Sequence, residues 1–213
     1  MKQALIKVCG MRQADNIREA EALGIDWMGL IFWPKTPRYV AQPPGYLPEK
    51  AKRVGVFVDA DLTDITSHVV DYRLDFIQLH GKETPDYIDN LRLLLNGQNS
   101  VAPGIIKAFS IADADDLRKT EGYEGKADYY LFDTKGKAVG GNGEKFDWQV
   151  LSHYEGSTPF LLSGGIGPED AQRLKGFSHP RCIGIDLNSR FELAPGLKDI
   201  ELLKRFIQTY KNP

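Results

Sequence analysis

Ile6-Lys7-Val8-Cys9-Gly10-Met11 reads as a short apolar strand that ends in a thiol, with a glycine directly after it. A polar segment follows in which Ala14, Ile17 and Ala20 recur at helical spacing. Strand, turn and helix make one β/α unit, and the rest of the chain repeats it. Further apolar runs lie at 27–32, 54–58, 76–80, 105–109, 129–133, 160–163 and 182–186. With 4–9 they make eight. Most lack strict alternation, as expected for parallel strands buried on both faces.

Helical signals stand between these runs. Leu62, Ile65, Val69 and Tyr72 share one face. Thr84-Pro85-Asp86 offers an N-cap, a proline at N1 and an acidic first turn. Ser110 with Asp113 fits a capping box. Gly167-Pro168-Glu169 opens a helix with Ala171 and Leu174 on one side, and the last helix starts near Lys198 with Ile200, Leu203, Phe206 and Tyr210 inward. Three prolines between 43 and 50 predict a short or irregular second helix. Eight β/α units in 213 residues predict an α/β fold, a compact (β/α)8 TIM barrel, as one domain over 1–213. A doubly wound sheet is the alternative, because local pattern does not show closure.

The totals narrow the function. Apolar residues make up 42% and charged residues 26%, so a packed globular chain is expected. A formal net charge of -2 does not suggest a nucleic-acid partner or an anionic membrane surface. Cys9 and Cys182 lie far apart, which argues for a reduced, cytoplasmic setting over a disulfide framework. No CxxC and no His/Cys cluster suggests a metal site. Lys7 interrupts the first apolar run, so no signal peptide is expected, and the run from Trp27 to Trp33 is far short of the ~20 residues that span a bilayer.

In a barrel the active site lies at the C-terminal ends of the strands. Those ends carry Cys9, Arg38, Asp59, Gln78 with His80, Asp133, Gly164-Gly165 and Asp186-Leu187-Asn188-Ser189. Cys9 at a strand tip can be a nucleophile or a base; an inert core cysteine is the plain alternative. For Cys182, inside a strand, the core reading is favoured. Asp133 can be a general acid or a carboxylate that caps loop amides, and its pairing with Cys9 favours the acid. Gly164-Gly165 before a helix lets backbone amides approach an anion, and Asn188-Ser189 can complete that site; an ordinary tight turn is the alternative. Arg38, in a loop stiffened by Pro34 and Pro37, can hold a carboxylate through two parallel hydrogen bonds or lie solvated at the surface. His80 reads as a structural or substrate-positioning residue, with a satisfied buried histidine as the evenly weighted alternative. The glycine-rich loop 135–145 follows Asp133 and could close over a substrate.

Two lysines stand inside strands. Lys7 shares the face of Cys9, and Lys107 interrupts Ile105-Ile106-Lys107-Ala108-Phe109. A buried ammonium needs a partner. Lys7 either lies beneath Cys9 and biases it toward thiolate or, somewhat preferred, makes a purely structural ion pair with a strand-tip aspartate.

Together these residues resemble the phosphoribosylanthranilate isomerase family. The resemblance is carried by Lys7-Val8-Cys9-Gly10-Met11, Pro34-Lys35-Thr36-Pro37-Arg38, Gln78-Leu79-His80-Gly81, Phe132-Asp133-Thr134, Gly140-Gly141, Leu162-Ser163-Gly164-Gly165-Ile166, Gly184-Ile185-Asp186 and Pro195-Gly196-Leu197-Lys198-Asp199. It implies a barrel without metal or organic cofactor, acting on a small-molecule substrate. A monomer is the default, because no exposed apolar stripe is evident in the sequence, and a homodimer is the alternative, since barrels of this size also dimerise. By resemblance, Asp133 protonates the ribose ring oxygen of N-(5-phosphoribosyl)anthranilate, and Cys9 removes the C2 proton in an Amadori rearrangement. Arg38 would bind the anthranilate carboxylate, and amides near Gly164, Gly165, Asn188 and Ser189 the phosphate. Asn142, Glu144 and Lys145 depart from the family pattern, and Arg190 stands where a glycine is usual. The related histidine-pathway isomerase has an aspartate at the place of Cys9. Indole-glycerol-phosphate synthase has extra sequence before the first strand. A non-catalytic sugar-phosphate binder need not keep Cys9 and Asp133 together.

Overall fold

The computed structural model describes residues 4–97, 102–134 and 147–211. The glycine-rich loop, with Gly140, Gly141, Asn142, Glu144 and Lys145, lies outside them. Eight parallel strands close into a barrel in chain order: β1 (Leu5–Cys9), β2 (Trp27–Ile31), β3 (Lys52–Phe57), β4 (Phe76–Leu79), β5 (Gly104–Ile111), β6 (Tyr129–Thr134), β7 (Phe160–Ser163) and β8 (Cys182–Leu187). β1 pairs with β2 on one side and with β8 on the other, which excludes the doubly wound alternative.

The two-residue period of the strands sorts side chains between two cores. Cys9, Trp27, Val54, Val56, Ile106, Ala108, Leu131 and Leu161 pack inside the barrel. Trp27 stacks on Phe76 with ring centroids 4.3 Å apart and meets Tyr129 edge-on, filling the same interior. Ile6, Val8, Met28, Leu30, Phe132 and Leu162 face outward and meet the helices.

Helix α1 (Ala14–Ala22) buries Ile17 and Ala20, α2 (Leu62–Tyr72) buries Ile65 and Tyr72, and α3 (Pro85–Asn96) buries Ile88, Leu91 and Leu95. Thr84 caps α3, its hydroxyl accepting from the Tyr87 N–H at 3.2 Å. After β7 a 3-10 turn (Pro168–Asp170) runs into the short α4 (Ala171–Lys175), which buries Ala171 and Leu174. Helix α5 (Ile200–Lys211) closes the ring and buries Leu203, Phe206 and Ile207.

Three expectations change. No helix forms between β2 and β3; the proline-rich connection is held instead by Glu21 of α1. The Glu21 carboxylate accepts from the N–H groups of Glu49, Lys50 and Ala51 and from the Tyr46 hydroxyl. The Ser110–Asp113 capping box is absent, because Ser110 belongs to β5. Asp113 alone accepts from the N–H groups of Asp115 and Asp116 and starts a 3-10 helix (Asp115–Tyr123). Cys182 is half-buried, resting against the outer core at the start of β8, and burial pushes its thiol up to about 11.

Candidate active site

A cavity of about 270 Å³ opens at the C-terminal end of the barrel. Cys9, Arg38, Asp133, Gly164, Gly165, Asn188 and Ser189 all line it, joined by Gln78, His80, Ser163, Asp186 and Arg190. β1 and β6 are not neighbours, so only barrel closure brings Cys9 and Asp133 to one space.

Cys9 ends β1 and is 4% exposed. Its place depends on Gly29, its register partner on β2. A Cβ on Gly29 would stand 2.5 Å from the Cys9 Sγ and 3.1 Å from its Cα. The thiol therefore occupies volume that any other residue at 29 would take. Burial raises the Cys9 pKa; Lys7 and Lys198 oppose this, and Asp186 reinforces it. Beneath the thiol, the Lys7 Nζ lies 2.9 Å from Asp186 Oδ1, so Lys7 makes an ion pair with a strand-tip aspartate. Burial lowers the Lys7 pKa, but Asp186 and Cys9 outweigh it and hold the ammonium above its ordinary value.

Asp133, half-buried at the end of β6, sits opposite His80, with Oδ2 and Nε2 3.6 Å apart. His80 is exposed at the mouth, and its Nδ1 is 2.8 Å from Gln78 Nε2. That contact orients the ring, and the exposure of His80 sets aside the buried alternative. Gln78 lines the same cavity, and its Oε1 is buried and without a hydrogen-bond partner among the described residues.

Arg38 is engaged more deeply than its loop position suggested. Its Nε lies 2.9 and 3.1 Å from the two Glu192 oxygens, and its Nη2 lies 2.5 Å from Oε2. Glu192 begins β9 (Glu192–Ala194), which pairs with β10 (Leu197–Lys198) in a small hairpin over the rim. The Lys198 Nζ donates to Glu192 Oε1 at 2.7 Å and to Asn188 Oδ1 at 2.8 Å. Burial raises the Glu192 pKa, yet hydrogen bonds from Arg38 and Lys198 bring it below 4.5. Burial lowers the Lys198 pKa, and Glu192 restores only part of it. The sequence reading missed Glu192 and Lys198 as site residues. Lys198 stood only as a helix start, and nothing local marks a lysine with no exposed side chain.

The glycine pair turns the chain sharply, with positive φ at Gly164 (93°) and Gly165 (65°), values that favour glycine. The Gly167 N–H, at the start of the following turn, is taken by the Asp170 carboxylate at 2.8 Å. Arg190 reaches across the β8 loop, its Nη2 2.9 Å from Glu169 Oε1.

The second buried lysine, Lys107, lies 3.0 Å from Glu83 Oε2 and donates to the Gly81 carbonyl at 2.8 Å. Glu83 in turn accepts from the N–H groups of Asp59 and Gly81, which ties the β3 and β4 loops together. Among the described residues no cluster of three or more His, Cys, Asp or Glu could hold a metal ion, and no helix is long and apolar enough to cross a membrane.

Residues 6–209 match the family model described as N-(5'-phosphoribosyl)anthranilate (PRA) isomerase. The chain belongs to this family. It is 48% identical to the N-(5'-phosphoribosyl)anthranilate isomerase of Parabacteroides distasonis, over 98% of this chain and 94% of that one. Identity to the Phocaeicola vulgatus protein of the same name is 47%, over 97% and 98%. Among solved structures, a phosphoribosylanthranilate isomerase in complex with reduced 1-(o-carboxyphenylamino)-1-deoxyribulose 5-phosphate superimposes with a TM-score of 0.77. Its sequence identity is 25%, and 98% of each chain is covered.

Proposed function

We propose that Cys9 and Asp133 are the base and the acid that isomerise N-(5-phosphoribosyl)anthranilate to 1-(2-carboxyphenylamino)-1-deoxyribulose 5-phosphate, the reaction of this family in L-tryptophan biosynthesis. The observation that carries the assignment is the shared cavity, which sets a thiol and a carboxyl group from opposite parts of the barrel around one space.

Asp133 gives its proton to the ribose ring oxygen; the ring C–O bond breaks and the anilino nitrogen becomes a protonated Schiff base. The Cys9 thiolate then takes the proton from C2. The electron pair moves into the C1–C2 bond and neutralises the iminium nitrogen, leaving an enolamine. Tautomerisation moves the 2-hydroxyl proton to C1 and gives the ketone. No covalent bond to Cys9 forms.

The substrate's two anionic ends fit the two sides of the mouth. Glu192 occupies the Nε edge of Arg38, so the Nη1–Nη2 edge is the one that meets the anthranilate carboxylate. Amides of Gly164 and Gly165, with Asn188 and Ser189, hold the phosphate. A substrate hydroxyl or N–H can satisfy the buried Gln78 Oε1. Residues 1–213 serve as one barrel domain, as a monomer or homodimer in the cytoplasm, with no nucleic-acid partner.

The test is direct. Purified protein in metal-free buffer should quench the fluorescence of freshly generated phosphoribosylanthranilate. Cys9→Ser and Asp133→Asn should each lower turnover roughly 10²- to 10⁴-fold with KM little changed. Near-normal turnover in either variant removes that residue from its role.

A further inference from the structure

Directly under Cys9 lies a buried ion pair that no step of the isomerisation consumes. Lys7 precedes Cys9 by two residues, so both side chains enter the barrel. Strand register sets Lys7 opposite Asp186 on β8, and the charged atoms are 2.9 Å apart. The Lys7 side chain is fully buried, and that of Asp186 is 6% exposed. The second Asp186 oxygen lies 3.4 Å from the Ser163 hydroxyl, and Asp186 lines the same cavity as the thiol.

Stability does not account for this pair. Desolvating an ammonium and a carboxylate costs several kcal/mol per ion, and apolar residues in such places are often as stable or more so. Elsewhere the interior is filled that way, by Val54, Ile106, Leu131 and Leu161.

Four charged groups from four segments act on the thiol: Lys7 on β1, Asp186 on β8, Lys198 on β10 and Arg38 in the β2–β3 connection. Asp133 and His80 face the same space from β6 and the β4 loop. A buried thiol without a counter-ion stays protonated and is no base. A thiol facing an unopposed ammonium ionises fully and becomes a weak one. General-base catalysis is best when the pKa lies near the working pH. A cation with its own anion attached supplies a partial field between these limits.

We propose that Lys7 and Asp186 are positioning residues that set the thiolate fraction of Cys9, with Lys7 as its counter-ion and Asp186 as the charge that holds and moderates Lys7. The proposal deepens the assignment of Cys9 as base and rests on it.

The pH dependence of Cys9 alkylation by iodoacetamide tests it without substrate. A Cys182→Ser background leaves Cys9 as the single thiol, since the chain has two cysteines. Asp186→Asn frees Lys7 for the thiol, and the alkylation midpoint should fall by about one pH unit or more, a roughly tenfold gain in thiolate below the midpoint. Lys7→Met combined with Asp186→Asn removes both charges. Its midpoint should rise above wild type, because the buried thiol then has no counter-ion beside it on β1. An ion pair with only a structural role predicts no shift, or shifts of one sign in both variants, and either result overturns the proposal. Should Asp186→Asn not fold, the charge-free double variant decides alone: a raised midpoint supports the proposal, and an unchanged or lowered one overturns it. Turnover separates the two ideas. Shifted midpoints that the pH profile of kcat/KM fails to follow leave the tuning intact and remove Cys9 as base. Unshifted midpoints end the tuning, whatever Cys9→Ser does to turnover.

Discussion

Gly29→Ala tests how closely the base must be placed, with a single methyl group. The added Cβ would stand 2.5 Å from the Cys9 Sγ and 3.1 Å from both the Cys9 Cα and Cβ. The first contact displaces the thiol from its rotamer. The other two are with the paired strand itself, where Cys9 and Gly29 are register partners, so rotating the thiol does not relieve them. Overpacking of this kind costs about 1–3 kcal/mol. For a chain of this length that lowers the melting temperature by roughly 2–12 °C. The catalytic cost should be larger in proportion, because a misplacement near 1 Å can lose about 10²-fold in rate. The assay combines thermal unfolding, substrate fluorescence and alkylation of Cys9. A folded variant with kcat reduced on the order of 100-fold, KM nearly unchanged and an altered alkylation rate is expected. Wild-type kcat in Gly29→Ala would refute the claim that the chemistry depends on the seating of this thiol.

Other outcomes follow from the buried charges. Lys107→Met leaves Glu83 buried and unpaired, and should destabilise the fold by about 3–5 kcal/mol in denaturant titration; a loss under 1 kcal/mol would remove the pair as the tie between the β3 and β4 loops. Glu192 has a folded-state pKa depressed below 4.5, so the stability it contributes is present above that value and is lost as pH falls through the folded pKa. Denaturation midpoints should therefore drop on acidification below about pH 4.5, and Glu192→Gln should flatten that part of the curve. The same substitution unlocks Arg38, and KM for substrate should rise more than kcat falls; an unchanged KM would detach Glu192 from the carboxylate site.

The strands were legible because parallel strands buried on both faces need continuous apolar runs, and each chemical residue sits where such a run ends. Cys9, Asp133 and Asp186 all have that position. The connections were less legible. Ser110 with Asp113 has the composition of a cap, but the pairing of β5 with β6 extends to Ile111 and draws Ser110 into the sheet. The proline-rich stretch after β2 takes its shape from Glu21, a residue on another element. Arg38 and Glu192 are 154 positions apart, so no window of sequence could join them.

By itself the sequence determined the repeat of strand and helix, the residues at the strand tips and, through its motifs, the family. These are local properties, set by hydrophobic period and by the residue that ends each run. Only the tertiary structure decided which charges share a dielectric environment. Barrel closure sets Lys7 against Asp186. The hairpin of β9 and β10 brings Glu192 and Lys198 to Arg38, and Gly29 leaves the space that the Cys9 thiol fills. Coulomb and steric terms depend on distance in space, and residues far apart in the chain become neighbours only when the barrel is closed.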